Sequence, residues 1–152
     1  MIKKIEVKEI KKYTPQMAAA VEYHMELLMP GARRRGTQER FKNLLKNPNA
    51  ILLGAFDEHD ALLGIVTLYK IETLGRKTVL FEECVVDSRF RDMGVGQALT
   101  RAAIDYVVKR PELGDRIEGT VNEKHIPAWN CYMKGGMHDR HNKAFFWVRV
   151  WD

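Results

Sequence analysis

The chain has 152 residues, 45% hydrophobic and 30% charged, and this composition is typical of one globular domain spanning residues 1–152. Its apolar runs are too short to span a bilayer and residues 1–7 lack the apolar core of a signal peptide, so we expect a cytoplasmic protein with no membrane partner. Two cysteines argue against a disulfide framework, and scattered basic residues with a net charge of +5 favour a polyanionic cofactor over nucleic acid.

The first predicted elements are a strand and two helices. Residues 3–10 alternate apolar and charged side chains, as a strand with one buried face does. Thr14 followed by Pro15 marks a helix start, because threonine caps free N–H groups and proline suits the first helical position. Thr37 is placed to cap a second helix, which residues 47–49 end with an Asn-Pro-Asn turn.

The rest of the chain predicts a mixed sheet with two more helices. The predicted strands are residues 50–56, 61–71, 78–86, 116–121 and two strands around residues 141–143, the last being 144–151. The predicted helices are residues 95–108 and 127–134. The order β-α-α-β-β-β-α-β-α-β-β indicates an α/β (α+β) mixed sheet, because it lacks the regular alternation of a doubly wound fold.

A glycine turn joins the strand that ends at Val86 to the helix that follows it. Its residues are Arg91, Asp92, Met93, Gly94, Val95 and Gly96. The first N–H groups of a helix lack internal partners and carry partial positive charge, so such a turn favours an anion. Glycines at 94 and 96 let the backbone approach a ligand without Cβ clashes. The turn therefore predicts a pyrophosphate site, although its spacing is neither that of a dinucleotide fold nor that of a nucleotide triphosphatase.

Two motifs support a family resemblance over nearly the whole chain. Residues 86–96 resemble the acetyl-CoA motif of the GNAT superfamily of N-acetyltransferases, Val-x-Pro-x-x-Arg-x-x-Gly-x-Gly/Ala, with Ser88 in place of proline. Residues 128–137 resemble the family pattern Ala-x-x-x-Tyr-x-x-x-Gly-Phe, with Met137 in the phenylalanine place. The resemblance implies a GNAT-like fold, acetyl-CoA as co-substrate and no metal. It also implies direct acetyl transfer to a primary amine of a small molecule or protein, and many relatives form homodimers.

The resemblance also assigns site residues. The cofactor would contact Val85, Val86, Asp87 and the six residues of the glycine turn. The family often has an asparagine contact where this chain has His125, so Asn122 and Asn130 are the nearby alternatives. Tyr132 inherits the role of general acid, and its alternative role is to pack the short helix onto the sheet.

The acceptor amine needs a base, because an alkylamine titrates near a pKa of about 10 and is mostly cationic at neutral pH. Glu82 and Glu83 lie in an otherwise apolar strand, where a carboxylate is unfavourable unless it is solvated, paired or functional. Alternation would point them to opposite faces. The pair resembles that of polyamine-type GNAT enzymes, in which the first acid serves deprotonation, so Glu82 is the predicted base. The alternatives are a cross-strand salt bridge to Lys70, Arg76 or another nearby base, and binding of a cationic substrate amine without deprotonation.

Three hypotheses remain open from the sequence. The first is the N-acetyltransferase, the second a non-catalytic acyl-CoA sensor or interaction module on the same fold, and the third a small basic nucleic-acid-binding protein with salt-dependent affinity. In the GNAT family the first two helices shape the acceptor pocket. Residues 33–35, a run of arginines, would bind an acidic group there or form a solvated loop, and His24 is either a base or a packing residue.

Overall fold

The computed structural model describes residues 2–122 and 124–139, which form a five-stranded sheet flanked by helices. The elements in chain order are β1 (Glu6–Glu9), α1 (Pro15–Leu28), α2 (Thr37–Lys46), β2 (Ala50–Phe56), β3 (Leu62–Glu72), β4 (Lys77–Val86), α3 (Val95–Val108), β5 (Ile117–Gly119) and α4 (Ile126–Gly135). The mixed α/β fold and the predicted element order are confirmed through α4. The two strands predicted around residues 141–143 lie outside the described residues. No described helix is long and apolar enough to cross a membrane.

The helix starts show where local sequence signals succeed and fail. Thr14 caps α1 as predicted, because its Oγ1 accepts a hydrogen bond of 3.1 Å from the Met17 N–H. The predicted cap at Thr37 is wrong. Gly36 is the capping residue of α2, and the Thr37 hydroxyl donates instead to the Ala32 carbonyl oxygen at 2.7 Å. Gly36 adopts the left-handed conformation (φ +75°), which glycine reaches without the steric cost that a side chain adds.

The sheet opens along one edge of β4. Strands β1 to β4 pair antiparallel in sequence order, whereas β4 and β5 pair parallel only at residues 79–81 with residues 117–119. From Glu82 to Val86, β4 pairs with β3 alone among the described strands. The main-chain polar groups on the other edge of this stretch are therefore available to a ligand.

A β-bulge lies in the same stretch of β4. Thr67 of β3 stands opposite Glu82 and Ile65 opposite Val85, so two residues of β4 face the single residue between them on β3. Glu83 has a positive φ of +52°, which for a non-glycine residue costs about 1–2 kcal/mol. Strain of this kind persists only where the surrounding structure holds it and is frequent at functional sites.

Two apolar layers hold the sheet between pairs of helices. On one face Leu63, Val66 and Leu68 pack beneath α3, whose inward positions are Val95, Leu99, Ala103 and Val107 at helical spacing. On the other face a second cluster packs beneath α1 and α2; its buried members are Ile10, Ala18, Val21, Phe41, Leu52, Phe56, Ile65 and Val85. Burying one such side chain stabilises the fold by about 1.5–3 kcal/mol, so these layers fix how β4 sits between the helices.

Candidate active site

The glycine turn forms an open concavity at the N-terminus of α3. Gly94 is the capping residue, with φ +83°, and no side chain caps this helix end. A Cβ built on Gly94 would meet no described atom within 4 Å, and Asp92 also has a positive φ of +61°. Arg91, Asp92, Met93 and Gly94 are all exposed. The turn therefore presents free backbone N–H groups and space to an anionic group, which is what a pyrophosphate requires.

Gly96 has a different physical role from Gly94. A Cβ at this position would lie 2.6 Å from the Sγ atom of Cys131 on α4. Gly135 of α4 is equally constrained, since its Cβ would lie 2.5 Å from the Cβ of Thr100 on α3. The two glycines let α3 and α4 approach each other closely, which places Tyr132 near β4. The sequence motif does not reveal this packing, because its partners are distant along the chain.

Asp87 directly follows the last residue of β4, and hydrogen bonds hold it at the start of the segment that leads to the glycine turn. Its carboxylate is 1% exposed and accepts hydrogen bonds from the backbone N–H and the guanidinium of Arg89, with Nη2 to Oδ2 at 2.7 Å. These bonds hold the pKa of Asp87 below its usual value, although burial opposes them. The Asp87 N–H donates to the Leu63 carbonyl oxygen at 2.9 Å and its own carbonyl accepts from Phe90. Asp87 thus supports the turn through internal bonds, and its N–H is not free for a ligand.

Val85 and Val86 lie on opposite faces at the open end of β4. Val85 belongs to the layer beneath α1 and α2, whereas Val86 packs against the layer beneath α3. Both stand opposite β3 in the register, so only the other edge of the strand is open among the described residues. This edge suits an extended chain of amide groups such as pantetheine, which could pair with it as an additional strand would.

Tyr132 packs against β4 from α4. Its ring meets Phe81 edge-on with centroids 5.2 Å apart. Burial, with the adjacent thiols, raises the pKa of Tyr132 well above its ordinary value. The phenol therefore stays protonated through the neutral range and retains a proton to donate. Packing and proton donation are compatible at this position.

The two candidate asparagines lie outside this cluster. Asn122 precedes α4 in an exposed turn, where its side-chain oxygen accepts from the Lys124 N–H at 2.9 Å. Asn130 is exposed on α4. The structure brings neither of them into contact with β4 among the described residues.

The bulge brings Glu82 and Glu83 to one face of the sheet. In a regular strand Phe81 and Cys84, which are three positions apart, would point to opposite faces, but both pack on the α3 face. The bulge therefore interrupts the alternation between them, and the prediction that the two acids point to opposite faces is wrong. Tyr69 is affected by both carboxylates. Burial, followed by the charges of Glu83 and Glu82, raises the pKa of its phenol to about 12. Burial and the charge of Glu83 raise the pKa of Glu82.

Glu83 lines a cavity of about 400 Å³ between the sheet and the first two helices. Thr67 is 1% exposed and its Oγ1 donates to Oε2 of Glu83 at 2.9 Å, and Tyr69 lies in the same cavity wall. The sequence reasoning missed Thr67 and Tyr69. A signal existed, since threonine is the single polar residue in the apolar run from Leu62 to Tyr69 apart from that tyrosine hydroxyl. Neither acid forms an ion pair among the described residues, and Arg76 pairs instead with Glu118 at 3.9 Å.

His24 is a packing residue in this structure. It is 1% exposed, and its Nδ1 lies 2.7 Å from the Ala20 carbonyl oxygen, so Nδ1 carries the proton. It does not line the cavity. The described residues also contain no group of three or more His, Cys, Asp or Glu arranged to hold a metal ion.

Several known structures share the fold of this chain. An aminoglycoside acetyltransferase from an uncultured soil metagenomic sample, solved with sisomicin, is 13% identical with a TM-score of 0.78 and 97% of each chain covered. AAC(6')-Iy, solved with a CoA-containing bisubstrate analogue, is 12% identical with a TM-score of 0.78, over 97% of this chain and 99% of the other. Glucosamine-6-phosphate N-acetyltransferase from Arabidopsis thaliana is 15% identical with a TM-score of 0.73, over 99% and 100%. At these identities the likeness shows the fold.

The sequence comparisons identify the family. No curated protein matches the chain. The family model described as Acetyltransferase (GNAT) family matches residues 18–137, which include most of α1, the bulged strand, the glycine turn and Tyr132. Because that match covers most of the chain, the protein belongs to the GNAT family of acetyltransferases.

Proposed function

We propose that the protein is an acetyl-CoA-dependent N-acetyltransferase that moves the acetyl group directly to a primary amine. The observation that carries this proposal is the bulge in β4. It places Glu83 in the wall of a cavity of about 400 Å³, with Glu82 next to it on the same strand, whose free edge runs toward the glycine turn. An amine in the cavity and a thioester along the strand edge would meet at this bulge.

Acetyl-CoA fits the groups that the chain offers to it. The exposed turn at Gly94 would hold the pyrophosphate through free N–H groups, with Arg91 adding positive charge, because no described acid pairs with Arg91. The free edge at Val85 and Val86 would hold the pantetheine amides. When bound, the cofactor supplies an acetyl thioester, which an unprotonated amine can attack.

The acidic pair supplies the base. An ammonium group must lose a proton before it can attack, and a carboxylate with a raised pKa accepts a proton more readily than an ordinary one. The pKa of Glu82 is raised by burial and by the charge of Glu83. Glu82 therefore serves as base, directly or through water, and Glu83 holds the ammonium form in the cavity. Together they attract the cation and then take its proton.

Tyr132 serves as the general acid that protonates the CoA thiolate as it leaves. Its pKa lies above the ordinary value because of burial, so its proton is present at every working pH. A cysteine-like thiolate leaves with a pKa of about 8.5 and needs modest assistance. We therefore expect Tyr132 to accelerate the reaction without being indispensable.

A covalent relay through cysteine is disfavoured. Burial and the neighbouring Cys131 raise the pKa of Cys84 to about 12, and burial also raises the pKa of Cys131. A thiol must ionise to act as a nucleophile, so both would be poor ones at neutral pH. Direct attack by the amine is the simpler route.

The acceptor is a small molecule in this proposal. A cavity of about 400 Å³ is in the range of small-ligand pockets, and the similar structures include enzymes named for aminoglycoside and glucosamine-6-phosphate substrates. A single protein side chain with its amine remains the second acceptor class. The alternative of a non-catalytic acyl-CoA sensor would keep the turn without a working base, and the raised pKa of Glu82 argues for the enzyme.

Calorimetry with acetyl-CoA, followed by release of free CoA thiol in the presence of primary amines, tests the proposal. We expect stoichiometric binding, then amine-dependent thiol release that Glu82→Gln lowers by about 10²-fold or more and Tyr132→Phe lowers by less. Binding without any amine-dependent turnover would favour the sensor. A folded protein that does not bind acetyl-CoA at millimolar concentration would contradict both.

A further inference from the structure

The cavity wall carries opposite charges at different places. Its charged side chains are Glu83 on β4, Arg35 on a short 3₁₀ segment and Arg40 on α2. No ion pair within 4.0 Å joins Glu83 to either arginine among the described residues. The rest of the wall consists of apolar residues, including Val21, Met25, Phe41 and Leu44, and of uncharged polar residues such as Thr67 and Asn43. The cavity wall thus combines one carboxylate and two guanidinium groups that are not paired with it.

Arg35 and Arg40 differ in whether their side chains already form hydrogen bonds or ion pairs with neighbouring residues. Arg35 donates to the Pro30 carbonyl oxygen, and its charge helps to lower the pKa of Glu26, after the backbone N–H bonds of Gly31 and Arg33. Arg40 has neither an ion pair nor a side-chain hydrogen bond with any described residue. The Arg33 beside them is already paired with Glu22 at 3.8 Å and does not line the cavity. Arg40 therefore brings an uncompensated charge to the cavity.

The charges of the cavity wall favour the binding of some classes of amine over others. A simple or multiply charged amine would satisfy Glu83 but would leave its body or second cation facing two guanidinium groups, which is electrostatically unfavourable. An amine with an anionic group at its far end would satisfy both kinds of charge, because a guanidinium fork binds carboxylate and phosphate oxygens well. The apolar side chains of the wall suit a short methylene chain or ring between the two groups.

Resting on the proposed function, we infer that the acceptor is a small amphoteric amine whose ammonium group lies at Glu83 and whose carboxylate or phosphate group lies at Arg40 and Arg35. The inference names a substrate class for the same cavity. It places polyamines and other purely cationic amines among the poor acceptors, and it gives Arg35, alone among the arginines of residues 33–35, a specific binding role.

Four primary amines of matched length provide the test. They are butylamine, 1,4-diaminobutane, 4-aminobutanoate and 3-aminopropyl phosphate, which differ at the far end by being neutral, cationic, a carboxylate or a phosphate. We expect kcat/KM for one or both anionic-tailed amines to exceed that for butylamine by about tenfold or more, equivalent to ~1.4 kcal/mol. The value for 1,4-diaminobutane should fall below that for butylamine. The better of the two anionic tails identifies the anion.

Two variants separate binding by Arg40 from general electrostatics. Arg40→Gln should reduce the ratio of anionic to neutral amine toward one. Arg34→Gln removes the same charge from an exposed neighbour outside the cavity wall and should leave that ratio unchanged. An equal loss in both variants would mean that the preference is a surface field effect and would overturn the inference.

The outcomes also distinguish this inference from the proposed function. Acetylation with butylamine or 1,4-diaminobutane as the best acceptor would overturn the amphoteric class while the transferase stands. If no amine is acetylated, calorimetry of the same four amines with the CoA-loaded protein decides. Preferential binding of the anionic-tailed amines would support the inference and count against the transferase, and equal or absent binding would overturn it.

Discussion

The Oγ1 hydroxyl of Thr67 on β3 donates a 2.9 Å hydrogen bond to Oε2 of Glu83, which lies in the β-bulge of β4. Thr67 is 1% exposed, so this donor is shielded from water and its bond to a carboxylate is stronger than one at the surface. The bond holds the Glu83 carboxylate at the wall of the cavity, at a bulge where the Glu83 backbone has a φ of +52°. A buried threonine thus positions Glu83, the acid for which the sequence analysis predicted no role of its own.

Replacing that hydroxyl should weaken amine turnover. Thr67→Val preserves the shape of the side chain but removes the donor, and a hydrogen bond to a charged group contributes about 1.5–3 kcal/mol. We expect kcat/KM for the amine to fall by about tenfold or more with unchanged acetyl-CoA affinity, measured by thiol release and calorimetry. Thr67→Ser retains the hydroxyl and should recover most of the activity. Similar losses in both variants would point to packing instead of the hydrogen bond.

The like charges of the acidic pair should set the acidic limb of the pH profile. Burial and the charge of Glu83 raise the pKa of Glu82, and a base works only when deprotonated, so kcat/KM should rise as pH increases through that raised pKa. Glu83→Gln removes the repelling charge but not the burial, so the limb should move partway toward lower pH. The profile should be calculated for the ammonium form, which is the form that the acidic pair binds, so that the titration of the substrate itself is removed.

Two controls make that pH experiment decisive. Glu39→Gln removes an equal charge from the first turn of α2, and Glu39 is not among the groups that perturb Glu82, so the limb should stay in place. Glu82→Gln should abolish the limb together with most of the activity. Persistence of the limb in Glu82→Gln would assign the base to another group.

Gly94 and Gly36 form a matched pair for testing the phosphate turn. Both cap a helix with positive φ, +83° and +75°, and a Cβ on either would meet no described atom within 4 Å. Alanine at either position should therefore cost a similar free energy of unfolding, about 1–2 kcal/mol. Only Gly94→Ala should weaken acetyl-CoA binding, by about tenfold or more, as measured by calorimetry. Equal affinity in the two variants would show that the cofactor does not approach this helix end.

The sequence predicted those parts of the protein that depend on neighbouring residues. The period of α3, the Thr14 cap and the glycine turn are local patterns, and the structure has each of them. The faces of Glu82 and Glu83 were predicted wrongly, because strict alternation holds only in a regular strand and no local residue marks the bulge. The sequence likewise does not show that Thr67 lies opposite the acids, since the pairing joins two strands in a register set by the whole sheet.

The same limit applies to the glycines of the motif. Gly94 and Gly96 look equivalent along the chain, and both suggest close approach to a ligand. In the structure Gly94 faces open space at a positive φ, whereas Gly96 faces the Cys131 thiol of α4. Only the packing of α4 on α3 distinguishes them, and that contact depends on residues far apart in sequence.

Gly96 and Cys131 should therefore be coupled in stability. Gly96→Ala places a Cβ 2.6 Å from the Cys131 Sγ atom, and overpacking of this kind costs about 1–3 kcal/mol. Cys131→Ala removes the sulfur, and in that background the same substitution should be neutral or stabilising, because alanine is favoured over glycine in a helix by up to about 1 kcal/mol. A double-mutant cycle from denaturant unfolding measures the coupling, which we expect to exceed ~1 kcal/mol. Additive effects would mean that α4 shifts freely to accommodate the methyl group, and the close approach of α3 and α4 would then not be what requires glycine at this position.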